Sequence, residues 1–460
     1  MTQARTRIDQ VMDAVRSRIA SRSIPPGARL PSVRAQARAT GFSVSTVVQA
    51  YERLAAEGLV IARRGAGFYL AGPVAPLALS EIGPRREREV DPLWISREAL
   101  AADDGVPMPG CGWLPPDWMF EAGMRRALRA IARADASVLT GYATPAGLPA
   151  LREVLARRMA SFGIDAPPGQ IVLTESGTQA IDLICRLLLE PGDTVLVDDP
   201  CYFNFHALLR AHRAKIVGVP FTPEGPDLGA FEKALHEHAP RLYVTNGGIH
   251  NPTGAILSPA SAHRLLRLAD DSKLVIVEDD IFADLEIVPA ARLAALDGLS
   301  RVIHIGSFSK TLSASLRCGY VAARADWIDA LVDLKIATSF GGGRLAAAVL
   351  LAALTDGAYR RHLETLRGRL AGAMQRTIAR LDAVGIVPWT VPRAGMFVWG
   401  RLPTGVDATA LARSCLREGV VLAPGNAFSE SRDAAGFVRF NVAQCEDTRV
   451  FEVLRRALSA

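Results

Sequence analysis

Residues 5–22 place Ile8, Val11, Met12, Val15 and Ile19 at helical spacing, with Arg and Asp on the opposite face. Pro25-Pro26-Gly27 ends that helix. Ser32 predicts the cap of a second helix that runs to about Ala39 and stops at Gly41. Ser43 predicts the cap of a third, which buries Val47, Tyr51 and Leu54, runs to about Glu57 and stops at Gly58. Leu59-Val60-Ile61-Ala62 and Phe68-Tyr69-Leu70 flank the basic run Arg63-Arg64-Gly65-Ala66-Gly67, which predicts a β-hairpin.

The pattern then changes. Residues 73–109 carry prolines and the charged run Arg85-Arg86-Glu87-Arg88-Glu89 but no long apolar periodicity before Trp94, as in a linker. From about residue 110 short apolar runs alternate with helical segments. Ile171-Val172-Leu173 leads into Glu175-Ser176-Gly177-Thr178 and a helix through Leu189. Val195-Leu196-Val197, Leu242-Tyr243-Val244, Leu274-Val275-Ile276-Val277 and Val302-Ile303-His304-Ile305 follow. Such runs between helices predict an α/β domain with a buried, mostly parallel sheet, whose ligands bind at the strand ends.

Composition refines this division. The 460 residues suggest two or three domains, and 49% apolar with 22% charged residues is ordinary globular usage. The apolar stretch Leu345 to Leu354 is too short to span a bilayer. The N-terminal residues have no apolar signal core, and the six cysteines have no paired metal spacing, so reduced thiols, no metal and a cytoplasmic location are expected. Residues 1–72 hold eleven Arg, no Lys and four acidic residues, a net of +7, whereas the whole chain is +6. The basic excess is confined to the N-terminal segment, which predicts a polyanion partner there. Three helices, a tight turn and a basic hairpin together describe a winged helix-turn-helix.

Candidate chemistry centres on Lys310. Only five lysines occur among 53 basic side chains, and this one lies in Gly306-Ser307-Phe308-Ser309-Lys310-Thr311, seven residues before Arg317. An amine forms an imine with an aldehyde, and a guanidinium clamps a phosphate; pyridoxal phosphate asks for both. Ser176, Gly177 and Thr178 open a helix after a strand and suit the phosphate, together with Ser307, Ser309 and Arg317. Asp279 at a strand end suits the pyridine nitrogen, Asn251 in His250-Asn251-Pro252-Thr253-Gly254 suits the ring hydroxyl, and Tyr202 is placed to stack on the ring.

Two resemblances follow from these motifs. Leu30-Pro31-Ser32-Val33-Arg34, Ser43 to Ala50, Tyr51-Glu52-Arg53-Leu54 and Glu57-Gly58-Leu59 resemble the GntR family of DNA-binding domains. Val44 departs from that pattern, since many members carry Arg there. The resemblance implies that Ser43, Ser45, Thr46 and Gln49 face the groove and that Arg34, Arg63, Arg64 and Gly65 serve the phosphates. Residues 110–460 resemble the fold type I aminotransferases, with large and small subdomains. That resemblance implies Arg439 as the clamp for a substrate carboxylate, and Tyr142 as a residue that reaches the phosphate in the neighbouring subunit of a homodimer. Family members usually have a tyrosine two or three residues after the pyridine-binding Asp, where this chain has Ile281 and Phe282.

The union of the two, a reader over 1–72, a linker over 73–109 and an aminotransferase-like domain over 110–460, resembles the MocR-type transcriptional regulators. It implies a DNA operator as partner and an amino acid, an amine or pyridoxal phosphate itself as effector, read by Schiff-base exchange at Lys310. The alternative is an active aminotransferase with a fused DNA-binding domain.

Overall fold

A computed structural model describes residues 6–20, 24–25, 27–63, 65–71, 97–100 and 105–459. Arg64 and most of the expected linker lie outside these. The chain divides into two compact units, 1–87 and 88–460.

In the first unit the helices are α1 (Arg7–Ala20), α2 (Val33–Thr40) and α3 (Val44–Ala56), followed by strands β1 (Val60–Arg63) and β2 (Gly67–Leu70). Ser32 Oγ accepts from Ala35 N at 3.2 Å and Ser43 Oγ from Thr46 N at 3.1 Å, so both predicted caps satisfy an orphan amide. Gly41 closes α2 at φ 72°, a conformation that costs other residues strain. Val11, Val15, Val47, Tyr51, Leu54 and Val60 form the core. Tyr51 donates to Pro31 O at 3.2 Å and packs edge-on to Phe68 at 5.1 Å, which fastens α3 to the α2 approach and to the hairpin. Strands β1 and β2 pair antiparallel from Val60 opposite Leu70 to Arg63 opposite Gly67.

The second unit is built on an eight-stranded sheet. Its strands are β3 (Ile171–Thr174), β4 (Thr194–Asp199), β5 (Lys215–Thr222), β6 (Gly225–Pro226), β7 (Leu242–Thr245), β8 (Val275–Asp279), β9 (Val302–Ser307) and β10 (Gly319–Ala322). Their order is β3-β10-β9-β8-β7-β4-β5-β6. Strands β5, β4, β7, β8 and β9 run parallel, whereas β10 is antiparallel to both neighbours, so the sheet is mixed. Alternate residues enter different cores: Ile276 and Val302 one, Val277 and Ile303 the other. Burial on both faces is why these strands read as unbroken apolar runs rather than alternating ones.

A smaller antiparallel sheet comprises β11 (Val387–Pro388), β12 (Phe397–Arg401), β13 (Ala423–Pro424) and β14 (Phe437–Asn441), in the order β11-β12-β14-β13. The helix Ala358–Asp382 joins the two parts. Its Tyr359 and Leu363 pack in the large-sheet core, and its Leu366, Leu370, Met374 and Leu381 in the small-sheet core.

Candidate active site and nucleic-acid interface

The ends of β8 and β9 and the small-sheet strand β14 bring together residues far apart in sequence. Strand alternation splits the run after Val277. Asp279 lies on one side, while Glu278 and Asp280 lie on the other and are buried as well. Glu278 accepts the amides of Leu293 and Ala294 at 2.7 and 3.0 Å. Asp280 accepts from buried Arg292 Nε at 3.0 Å, and Glu286 from Arg292 Nη2 at 2.7 Å. Those two acids therefore have their charge answered structurally. Asp279 does not: among the described residues none forms an ion pair with it. Burial pushes its carboxyl up to about 6, against the opposing hydrogen bonds from Asn246 and from Ile281 N.

Lys310 is the counterpart. Its Nζ donates to Gly112 O at 2.7 Å, and burial, then the Arg439 charge, push its amine down to about 8. Arg439 on β14 is 1% exposed. Its Nη1 donates to Asn251 Oδ1 at 2.9 Å and its Nη2 to Gly110 O at 2.6 Å, while its Nε is buried without a hydrogen-bond partner. The rings of Phe397 and Phe428 lie 4.4 and 4.7 Å from its guanidinium carbon. Burial lowers its pKa to about 10. A buried guanidinium with a free N–H and only a carbonyl and an amide as partners is short of an anion.

Ser176 Oγ caps the helix Gly177–Leu188 by accepting from Gln179 N at 3.0 Å. Neither crowding nor a positive φ requires glycine at 177: an added Cβ would meet only Ile281 and Ile305 methyls at 3.5 and 3.7 Å. A bare Cα there keeps the helix N-terminus open to an anion. The Ser307 and Ser309 hydroxyls, three residues and one residue before Lys310, lie 3.1 Å apart. Tyr202 packs beside Phe203 and Phe205, with ring centroids 5.0 and 5.4 Å away. Thr178 and Arg317 are exposed. Arg317 and Tyr142 line a cavity of about 210 Å³ with Lys335, and Tyr142, 80% exposed, pairs edge-on with Phe340 at 5.1 Å. A buried carboxylate without a cation, a buried amine, an open helix N-terminus and an anion-deficient guanidinium fit a phosphorylated pyridine aldehyde.

The comparisons agree with the geometry. Residues 117–456 match the family model for aminotransferase class I and II, and residues 7–70 that for bacterial regulatory proteins of the gntR family. The uncharacterized HTH-type transcriptional regulator YdcR of Escherichia coli is 31% identical over 94% of both chains. The probable rhizopine catabolism regulatory protein MocR of Rhizobium meliloti is 27% identical, over 90% of this chain and 85% of its own. The chain belongs to the MocR-type regulators. The solved α-aminoadipate aminotransferase of Thermus thermophilus, complexed with N-(5'-phosphopyridoxyl)-L-leucine, superposes with a TM-score of 0.73 at 28% identity, covering 79% of this chain and 94% of that one.

This MocR-type chain is thus a transcriptional regulator with an aminotransferase-like domain of the pyridoxal-phosphate class. Its reader exposes Arg34, Ser43, Ser45, Gln49 and Arg63, with Thr46 half-buried. Arg63 lies over the Tyr69 ring at 4.4 Å, which steadies the guanidinium on the wing, and Gly65 turns the hairpin at φ 74°. At the position where a tyrosine is usual, Phe282 is buried and packs edge-on to Phe397 at 5.5 Å, so no phenol is offered there.

Sequence reasoning missed several residues of the MocR-type site. Asn246 donates to Asp279 O at 2.9 Å and keeps a buried, unpartnered Oδ1. Its signal was an Asn just past an apolar strand, followed by two glycines. Gly110 and Gly112 had no strand or helix to announce them. His250, beside Asn251, bonds Thr253 Oγ1 at 2.8 Å and stacks on Phe221 at 3.7 Å, which fixes the Asn251 turn.

Proposed function

We propose that the chain binds an operator as a cytoplasmic homodimer and that its pyridoxal-phosphate domain reads an amino acid or amine through Schiff-base exchange at Lys310. The observation that carries this reading is the meeting of Lys310 and Arg439, from the two separate cores, on the segment Gly110–Gly112. A ligand with an amine and a carboxylate answers both groups at once. When bound, pyridoxal phosphate supplies the aldehyde and an electron-withdrawing ring.

Lys310 would hold the aldehyde carbon, Asp279 the ring nitrogen, Asn251 the ring hydroxyl and Tyr202 the ring face. Ser176, Gly177, Thr178, Ser307, Ser309 and Arg317 would hold the phosphate, joined by Tyr142 of a second copy. Arg439 would take the ligand carboxylate. In the reader, Ser43, Ser45, Thr46 and Gln49 would face bases and Arg34, Arg63, Arg64 and Gly65 the backbone. A ligand shifts DNA affinity only as far as it prefers one arrangement of the dimer.

An active aminotransferase is the second reading. A 2-aminoadipate transaminase of Thermus thermophilus, 31% identical over 78% of this chain, favours it, and the buried Phe282 counts against it. The deciding experiment is DNA binding to the protein's own upstream region, with and without pyridoxal phosphate and an amino-acid panel, alongside single-turnover conversion to the pyridoxamine form. Ligand-dependent DNA affinity without turnover supports the regulator; fast turnover with unchanged DNA affinity overturns it.

A further inference from the structure

Lys310 lies in one tight turn, in which Leu312 N and Ser313 N donate to Phe308 O at 3.0 and 3.2 Å. The next residue, Thr311, is 1% exposed and is gripped from outside that turn. Its hydroxyl lies 2.8 Å from Tyr359 Oη and 3.2 Å from Asp284 Oδ2, and its carbonyl accepts from His362 Nε2 at 2.9 Å. Tyr359 donates to the same Asp284 oxygen at 2.7 Å. Asp284 is ion-paired with Arg158, and its carbonyl accepts from Arg367 Nε at 2.9 Å.

Tyr359, His362 and Arg367 all belong to the first turns of the helix Ala358–Asp382. That helix starts in the large-sheet core and ends in the small-sheet core, whose strand β14 carries Arg439. An apolar trio of the same volume would fill this space without the cost of burying a carboxylate. What the polar network adds is a fixed register between the helix and the Lys310 turn.

We infer that Asp284 and Tyr359 are positioning residues that hold Lys310 through Thr311 and tie its state to the helix Ala358–Asp382. The inference rests on Lys310 being the imine-forming amine. Exchange moves a proton between the entering nitrogen and the departing Nζ, so it depends on where Nζ is held.

The test uses the full chain loaded with pyridoxal phosphate, and aminooxyacetate as the probe. The probe's amine nitrogen adds to the imine carbon, the carbon–Nζ bond breaks, and Nζ leaves as a free amine carrying the two protons that the probe's nitrogen gives up. Loss of the imine absorbance follows this exchange. Tyr359→Phe and Thr311→Val are each expected to slow it about tenfold, and Thr311→Ser, which keeps the hydroxyl, to stay within about twofold of the unmodified protein. Hydrogen exchange of amides 358–367 is expected to change on reaction in the unmodified protein and not in Tyr359→Phe.

Rates within twofold for both Tyr359→Phe and Thr311→Val would overturn the inference, even if those variants melt early. Equal slowing in Thr311→Ser and Thr311→Val would do the same, because volume and not the hydroxyl would then matter. If Tyr359→Phe fails to fold, the Thr311 pair decides. Absence of any imine in the unmodified protein would instead sink the underlying reading of Lys310.

Discussion

Lys310 and Arg439 donate to carbonyls two residues apart, Nζ to Gly112 O at 2.7 Å and Nη2 to Gly110 O at 2.6 Å. A Cβ at Gly112 would lie 3.8 Å from Arg439 Nη2 and 3.9 Å from Lys310 Nζ, ordinary contact distances that place this residue between the two groups. Each carbonyl carries only a partial charge. A carboxylate is therefore a stronger partner for a guanidinium than either neutral acceptor that Arg439 now bonds.

Selectivity for carboxylate-bearing amines should depend on Arg439. Comparing aminooxyacetate with methoxyamine isolates the carboxylate, since both attack the imine with the same group. In Arg439→Met the ratio of their rate constants should fall by about 10²-fold, the order expected for a buried charge-assisted pair. An unchanged ratio would remove Arg439 from carboxylate recognition.

The Lys310 amine should load at a lower pH than an ordinary lysine. With its pKa near 8, the neutral amine predominates above that pH, and capture of pyridoxal phosphate should lose about tenfold per pH unit below it. Lys335 is also pushed down to about 8 by burial, so the measurement belongs in a Lys335→Arg background. A capture rate that keeps rising to pH 10.5 would contradict the depressed value. Lys310→Ala should remove the borohydride-reducible imine altogether.

How far the sequence announced these groups follows from how each is held. Strands β4, β7, β8 and β9 were visible because both faces are buried, and the polar residues at their ends stood out against apolar runs. Strand β10 was not, because Gly319-Tyr320-Val321-Ala322 holds a single branched aliphatic residue and follows the loop after Lys310 with no helix between to mark it off. The two-residue strands Val387–Pro388 and Ala423–Pro424 have no period to detect. Asp279 and Asp280 look alike as letters; only the pairing of Asp280 with Arg292, twelve residues on, leaves Asp279 as the uncompensated acid. Gly110 and Arg439 are 329 residues apart, and no local pattern carries such a contact.

Asp279 should cost the cofactor-free protein stability at neutral pH. Its folded-state pKa, about 6, lies above the ordinary 3.8, so the folded chain holds the proton more tightly. That contribution is fully present below about pH 4 and is lost as pH rises through 6. Asp279→Asn should therefore raise the stability of the cofactor-free protein at pH 8, by at most about 3 kcal/mol for a two-unit shift, while weakening pyridoxal phosphate binding. Denaturant melts at pH 4.5 and 8, on stripped protein, would show a clearly larger gain at the higher pH. A gain of equal size at both would show that the carboxyl is not destabilising as a charge.

The reader offers two kinds of side chain, and they should fail differently. Arg63 is exposed at the wing and stacked on Tyr69 at 4.4 Å, which suits a phosphate contact without sequence preference. Gln49 is exposed on α3, beyond the buried positions Val47, Ala50, Tyr51 and Leu54, which suits a base edge. Arg63→Ala should weaken all duplexes alike and reduce the slope of log affinity against log salt by about 1. Gln49→Ala should leave that slope unchanged and reduce discrimination between operator and unrelated DNA by about 1–3 kcal/mol. Binding titrations at several salt concentrations separate the two. Because the aminotransferase-like unit has its own cores, neither substitution should alter the imine spectrum, and a change in that spectrum would contradict the independence of the two modules.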